Sequence, residues 1–427
     1  MQPAANPQEG FRSRQKNAAA LLASAWCLPA AALAGFLAMR FGAWTVSSSN
    51  LLLLGSPAIV LFGRVLLWGW ACAVLLERVS LIRLAVLAVF VDLLLLYASR
   101  VSFHANPIFF LAECFAIGIC FLPAQLFARW THERRHLAAR NLMHLCFHSA
   151  LLLAVWPLLI VQIFGGNWHA WAERSSAANK FYLQFLIFPC VLLITAMQEF
   201  HAAGHGTPMP DDAPRRLVTS GIFSYVANPM QLGKFGILSG WGLFWKNPWI
   251  MGASFLGLLY SLTIARWKED RDLTARFGPA WALYRRNVRR WLPRWRPWIG
   301  GADAADSAAL YLDLDCGPCL RLARWFAAQS PTQLRILPLT AHPVRTLTRI
   351  TYRAARGHRE DHGIQAIARA FDHINLAWAF CGWMLRLPLI AWAAELIAAA
   401  VSPPLPKDCR TTDAPAPAIA PSVKVHS

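Results

Sequence analysis

Long apolar runs alternate along this chain with short connections that carry most of its charge. Eight of these runs have at least about 17 residues, the lower end of the length with which a helix can span a hydrocarbon layer. They lie near residues 18–38, 51–76, 81–99, 107–127, 143–164, 181–198, 229–245 and 248–265. The pattern predicts a multi-pass α-helical membrane protein with about eight spans.

Basic residues are concentrated in alternate connections. The segment 128–142 carries four arginines, whereas the segment 165–180 holds Arg174 and Lys180 against Glu173. Because lysine and arginine accumulate on the cytoplasmic side of a membrane, we expect both termini, the loop 200–228 and everything after residue 265 to be cytoplasmic. The expected location is the cell (inner) membrane.

Changes in composition along the chain divide it into six parts. Residues 1–17 are polar and 402–427 are rich in proline and alanine, so both are expected to be disordered tails. The parts between them are an N-terminal transmembrane bundle at 18–178, a membrane core at 179–299, a linker at 300–307 and a second domain at 308–401.

The last two apolar runs are separated only by Lys246-Asn247-Pro248, which predicts a tight hairpin. Its outer ends then return to one membrane face, where the Gly/Pro-rich loop 204–222 meets the charged segment after residue 265. Asn228 and Pro229 suit a helix start with an asparagine cap, and the positive end of that helix favours a carboxylate. Across the hairpin, Arg266, Glu269 and Asp270 fit either a surface ion pair or a polar binding site.

The stretch 204–293 follows a G-x-G-T-P-x-P block, a block containing Y-V-x-N-P-M, a charged block with F-G, and a closing L-P. This order and spacing resemble the isoprenylcysteine carboxyl methyltransferase and phospholipid methyltransferase superfamily of membrane enzymes. Phe223, Ala227, Gln231, Asp270 and Trp281 depart from the pattern. The matching residues are Gly204, Gly206, Thr207, Pro208, Pro210, Leu217, Val218, Gly221, Tyr225, Val226, Asn228, Pro229, Met230, Leu232, Gly233, Arg266, Glu269, Leu273, Phe277, Gly278, Tyr284, Leu292 and Pro293.

The resemblance implies an S-adenosylmethionine-dependent methyltransferase. Arg266 would contact a carboxylate or the acceptor, and His205 or His201 would serve as a base if the acceptor arrives protonated. The acceptor would be a lipophilic or small thiol, carboxylate or amine that enters from the lipid. The implied cofactor-binding residues are Gly204, Gly206, Gly221, Tyr225, Asn228, Pro229, Gly233, Glu269, Asp270 and Tyr284.

The chain has a net charge of +19 and a mean hydropathy of +0.38. Basic and aromatic residues interleave in RRNVRRWLPRWRPW after the last span, a pattern shared by nucleic-acid-binding segments and by segments that lie on anionic lipid headgroups. Its position directly after a span favours membrane lipids as the partner and argues against nucleic acid.

Several ionisable side chains fall within the apolar runs. Arg64, Asp92 and Glu113 mark either a functional site or a structural pairing between helices. His144 and His148 share one helix face, which suits a haem or metal ligand pair or two hydrogen-bonded histidines, and we favour the second. No metal site is predicted.

After the linker, an alternating strand at 309–314 leads into Cys316-Gly317-Pro318-Cys319 and an amphipathic helix. With LRILPL at 334–339 and the later HGIQAIARAF, this resembles the DCC family of thioredoxin-like thiol–disulfide oxidoreductases, although Leu314 replaces the usual glycine. Cys316 would attack from a helix start that favours the thiolate, opposed by Asp313 and Asp315, and Cys319 would resolve the mixed disulfide. The alternative, half of a zinc site, lacks a second ligand pair.

The sequence therefore favours a membrane methyltransferase with a fused cytoplasmic dithiol domain, which either keeps a thiol acceptor reduced for methylation or reduces a thiol partner protein. The alternative is a membrane thiol–disulfide redox carrier whose spans are an anchor or a quinone site. Residues 388–401 are apolar but short, which suggests a docking or interfacial helix rather than a span.

Overall fold

The computed structural model describes residues 7–46, 51–75, 79–98, 101–103, 107–166, 172–207, 214–300, 307–344, 347–355 and 360–401. The first two thirds of this part is helical. In chain order its long helices are α1 (Pro7–Arg40), α2 (Ala58–Leu75), α3 (Leu81–Ala98), α4 (Pro107–His132), α5 (Leu137–Phe164), α6 (Ser176–Gly204), α7 (Pro229–Phe244) and α8 (Pro248–Asn287). Two small antiparallel ladders pair β1 (Trp44–Val46) with β4 (Val101–Phe103) and β2 (Leu52–Leu53) with β3 (Ser56–Pro57).

Seven of the helices described are long and apolar enough to span a membrane, rather than the eight expected. The exception is α7, whose 16 residues extend for about 24 Å, less than the roughly 30 Å of a hydrocarbon layer. The N-terminal boundary also differs, because α1 begins at Pro7 and residues 7–17 are helical rather than a disordered tail. The expected tail 402–427 and linker residues 301–306 lie outside the described residues.

The ionisable residues of the N-terminal bundle pair with one another. The guanidinium of Arg64 donates to both carboxylate oxygens of Asp92, at 2.8 and 2.6 Å, and to Glu113 at 2.8 Å. The indole of Trp44 donates to the second oxygen of Glu113 at 3.3 Å. Arg64 is fully buried, so this triad supports the structural pairing considered above.

The helix α7 packs directly on α6 because glycines line the contact. A Cβ at Gly233 would lie 2.8 Å from the carbonyl oxygen of Pro189, and one at Gly236 would lie 2.7 Å from its Cβ. The helix then reverses into α8 through Lys246, whose φ is 50°, and Asn247. The side chain of Asn247 accepts from the amides of Trp249 and Ile250 at 3.0 and 3.1 Å, which caps α8. The predicted hairpin is present.

A four-stranded sheet follows the membrane part. Its strands are β5 (Ala308–Leu312), β6 (Leu334–Pro338), β7 (Thr351–Arg353) and β8 (Glu360–His362), in the spatial order β6-β5-β7-β8. The pair β5–β6 is parallel and the other two pairs are antiparallel. Helix α9 (Gly317–Ala328) connects β5 to β6, and α10 (Gly363–Ala370) follows β8. The expected strand, strand-connecting helix and later helix are all present.

Two apolar helices end the described chain. They are α11 (Leu376–Leu385) and α12 (Pro388–Val401), and α12 occupies the region predicted as a docking or interfacial helix. Their axes are bent by 84° at the break, so the two do not form one straight span.

Candidate functional site

The outer ends of the hairpin meet through the backbone. The amide of Ala227 donates to the carbonyl of Arg289 at 2.9 Å, and the amide of Asn228 donates to the carbonyl of Arg290 at 3.1 Å. The start of α7 therefore lies beside the segment that follows α8, as the tight hairpin predicted. Pro229 is the first residue of α7, but the side chain of Asn228 makes no capping hydrogen bond, contrary to expectation.

Two carboxylates, Glu269 and Asp270, lie close to the start of the charged half of α8, which begins at Arg266. Arg290, whose side chain is 7% exposed, forms an ion pair with Asp270 and a second one, at 3.6 Å, with Glu269. Arg266 is exposed and lies 3.8 Å from Asp270. The helix-surface ion pair is thus present, but a buried arginine from beyond the helix also holds both acids. The arrangement leaves the side chains of Glu269 and Asp270 38% and 39% exposed, so a ligand can reach them.

Arg290 was not singled out by the sequence, because it is one of ten basic residues between 266 and 300. Within the described chain, its buried Nε has no hydrogen-bond partner. Gln231 and Lys234 of α7 both lie close enough to the carboxylate of Glu269 to interact with it. Together with Arg290, they bring α7 and the segment after α8 to the same acid.

The loop after α6 packs on the N-terminal bundle. Asn141 of α5 donates to the carbonyl of Gly206 at 3.2 Å and lies 3.4 Å from the ring of His201. Gly204 has no room for a side chain, because a Cβ there would lie 2.9 Å from both Pro214 and Val218. His205 is exposed and has a φ of 52°. The two candidate bases therefore differ: His201 is half-buried beside α5, whereas His205 faces outward.

The short 3₁₀ helix Gly221–Ser224 is held by internal contacts. Gly221 has a φ of 56°, and a Cβ there would lie 2.7 Å from a carboxylate oxygen of Glu199. Tyr284 donates its hydroxyl to the carbonyl of Phe223 at 2.8 Å, and Tyr225 donates its hydroxyl to the carbonyl of Asp372 at 3.0 Å. Burial raises the pKa of Tyr225 well above its usual range, so this hydroxyl stays a donor. The resemblance implies that Tyr225, Tyr284 and Gly233 bind the cofactor, but in this structure all three contact other parts of the protein.

A buried ionic cluster joins this region to the C-terminal part of the chain. We call it the interface cluster; it consists of Glu199, Asp361, Arg369, Asp372 and Arg386. Glu199 is 1% exposed, accepts from Ser220 at 3.0 Å and pairs with Arg369.

The second arginine of the interface cluster anchors the last helices. Arg386 donates to the two oxygens of Asp372 at 2.9 and 3.2 Å and lies 3.6 Å from Glu199. Around the cluster, Ala379 and Trp383 of α11 pack with Val191, Ile222 and Val226. The sequence did not indicate this interface, because its partners are far apart in the chain.

The two cysteines of the C-terminal part sit at the start of α9. Cys316 occupies the N-cap position, Cys319 lies one turn further on, and both are free and half-buried. Burial raises the pKa of the Cys319 thiol to about 11, and its hydrogen bond to Cys316 and the charges of Cys316 and Asp313 act in the same direction. This geometry brings the two sulfurs together, as the Cys-x-x-Cys spacing predicted.

The histidine pair of α5 lies among aromatic rings. His148 contacts the carbonyl of His144 through Nδ1 at 2.8 Å, and the ring of His144 packs edge-on against Phe127. Across the described ranges, no group of three or more His, Cys, Asp or Glu side chains could hold a metal ion.

Residues 183–280 match the family model of the phospholipid methyltransferases. The matched segment starts within α6, contains the whole hairpin and ends in the charged half of α8, so it includes the two carboxylates. No curated protein and no solved structure matches the chain significantly. Together with the seven apolar helices, the family match supports a membrane methyltransferase in general.

Proposed function

We propose that this protein is an integral-membrane methyltransferase that takes its methyl group from S-adenosylmethionine. Its acceptor is a lipophilic or small thiol, carboxylate or amine. The observation that carries the proposal is the pair Glu269 and Asp270, held by Arg290 beside the start of α7 within the segment that matches the family. The alternative, a redox carrier in which the spans only anchor the dithiol, has no use for that arrangement.

The polar groups of this site fit the cofactor, which carries a sulfonium, an ammonium, a carboxylate and a ribose. Glu269 and Asp270 are partly exposed and offer acceptors to the ribose hydroxyls or the ammonium, and their charge also favours a cationic sulfonium. Arg290 offers a buried donor, Nε, which no described residue uses, to the carboxylate. The N-terminal end of α7 adds a positive field close by.

When bound, the cofactor supplies an electrophilic methyl group, so the protein has little covalent work to do. The buried Arg290 pairs with both Glu269 and Asp270, which holds the two carboxylates in place. The apolar hairpin excludes water, and alignment of two reactants alone is worth about 7–11 kcal/mol of the barrier. For an acceptor that arrives protonated, His201 is the better-placed base, because Asn141 orients its ring whereas His205 is exposed.

Binding of S-adenosylmethionine to the purified protein, measured by calorimetry, tests this function. Glu269→Gln and Arg290→Met should each weaken binding about 10- to 150-fold, the equivalent of the roughly 1.5–3 kcal/mol of a hydrogen bond to a charged group. Asp272→Asn is the matched control, because Asp272 lies on the same helix but pairs with Arg276 at 3.2 Å on the surface. Absence of binding to the unaltered protein, or equal binding by all three variants, would refute the proposal.

The C-terminal part is proposed to be a thioredoxin-like dithiol domain of the DCC type. Its support is the β-α-β-β-β-α order, the strand order β6-β5-β7-β8 and the cysteine pair at the start of α9. The sulfur of Cys316 attacks a partner disulfide and releases one thiolate. Cys319 then attacks the mixed disulfide and releases the second thiol, so two electrons pass to the partner and Cys316–Cys319 becomes a disulfide.

Trapping of the mixed disulfide tests this second activity. A Cys319→Ser variant should accumulate a covalent adduct on Cys316, which mass spectrometry would identify as a protein or a small thiol. A Cys316→Ser/Cys319→Ser variant is the control and should form none. If Cys319→Ser yields no more adduct than this control, the dithiol has no exchange role. Membrane lipids and a thiol partner protein are the proposed partners, with no role for nucleic acid.

A further inference from the structure

One face of α12 is apolar and uncovered in the folded chain. Leu389, Trp392, Leu396 and Ile397 lie on this face at the spacing i, i+3, i+7 and i+8, and they are 82%, 66%, 51% and 65% exposed. Exposure of this extent on neighbouring large side chains marks a surface that contacts something apolar.

No charge lies on that face. Glu395 is the one ionisable residue of α12, and its carboxylate accepts from the amide of Ile364 at 2.9 Å, so it faces α10. At the break before α12, the guanidinium of Arg386 is 5% exposed and paired with Asp372 at 2.9 Å. Both ionisable side chains are therefore directed into the protein, Glu395 to a backbone amide and Arg386 to a carboxylate, rather than onto the apolar face.

Helix α11 is already next to a span. Phe380 stacks on Phe188 of α6 at 5.0 Å between ring centroids, and Gln198 of α6 donates to the carbonyl of Arg386 at 3.1 Å. Ten residues of α6 separate these two contacts, about 15 Å along its axis and half of a hydrocarbon layer. Phe188 is itself 53% exposed and continues the lipid-facing side of α6 formed by Phe181 and Phe185.

From this continuity we infer that α11 and α12 form a membrane-inserted element that enters one leaflet without crossing it. The occupant of the apolar face is the acyl-chain region of the same bilayer that the seven long helices span. The 84° bend fits this geometry, because α11 contacts α6 between Phe188 and Gln198 while the axis of α12 is turned sharply from that of α11. The inference does not depend on the methyltransferase proposal, since it rests on exposure, charge and contacts at the other end of the chain.

Photo-crosslinking in lipid nanodiscs tests the inference with the full-length protein. A benzophenone amino acid is placed singly at Trp392 and at Leu396, and lipid adducts are measured by mass spectrometry. Phe90, 60% exposed on α3, is the positive control, and Arg324, exposed on α9, is the aqueous control. We expect adduct yields at 392 and 396 close to that at 90 and at least about tenfold above that at 324, as for residues sunk into the acyl boundary.

Each other outcome overturns the inference. Lipid adducts at 90 but only background at 392 and 396 would show that the face is in water. Crosslinks from 392 or 396 to a second copy of the chain, without lipid adducts, would make it a dimer interface. Crosslinks to another protein alone would make it a docking site for that protein.

Discussion

Replacing Arg386 with methionine should loosen the C-terminal helices from the membrane part. Methionine fills much of the space of arginine but leaves Asp372 and Glu199 without this cation, and both carboxylates are buried. Removal of one partner from a buried ion pair costs about 3–5 kcal/mol. Because Arg369 still contacts both acids, the lower end of that range applies, about 3 kcal/mol.

Amide hydrogen exchange of α11, followed by mass spectrometry, measures this change directly. Three kcal/mol corresponds to roughly two powers of ten in the opening equilibrium, so protection of α11 should fall about 100-fold. Arg324→Met, at an exposed position of the same domain, should leave it unchanged. Adding Asp372→Asn to Arg386→Met should restore part of the protection, because it removes an uncompensated charge. Exchange in Arg386→Met within about threefold of the unaltered protein would refute the electrostatic reasoning.

Three further outcomes are expected. Asn247→Ala removes the cap of α8 and should lower the apparent melting temperature by the equivalent of about 1 kcal/mol, whereas Asn228→Ala, which removes no cap, should not; equal shifts would contradict this. In a Cys316→Ser variant, the alkylation rate of Cys319 should still be rising above pH 9, and a midpoint at or below pH 9 would contradict the effect of burial. Reporter fusions after Arg140, Arg216 and Gly300 should all read cytoplasmic; opposite sides for the last two would be inconsistent with the hairpin, whose ends meet.

Local features were predictable from the sequence where neighbouring residues decide them. The hairpin follows from two apolar runs separated by three residues, and the strand–helix–strand order around Cys316 follows from alternating and amphipathic patterns. The apolar run 229–245 predicts a span, but the helix it forms has 16 residues, about 24 Å, and is too short to cross a hydrocarbon layer of about 30 Å. Asparagine is a common N-cap residue, which predicts that Asn228 caps α7. Instead, its backbone amide donates to Arg290, and its ψ of 57° is not that of an extended cap residue.

Contacts between distant segments were not predictable from one sequence. Nothing in the sequence distinguishes Arg290 from its neighbour Arg289. Only the fold buries Arg290 against Glu269 and Asp270. The pairing of Glu199 with Arg369 joins residues 170 positions apart. Hydrophobic periodicity indicates which face of a helix is buried, but it carries no information about which charge is buried opposite which other charge.

The interface cluster has a consequence for how the proposed dithiol exchange would reach its substrate. A domain on a loose tether explores a volume set by its linker and meets every site within reach at a high effective concentration. Here Glu199 of α6 would lose both of its buried cations, Arg369 and Arg386, if the C-terminal part moved away, so Cys316 is held in a fixed position. Cys316 is therefore fixed relative to the membrane part. The partner of the proposed exchange has to reach it by diffusion, laterally in the bilayer or through the solvent. The exchange rate should therefore depend on the concentration and mobility of the target rather than on the length of the connection after Gly300.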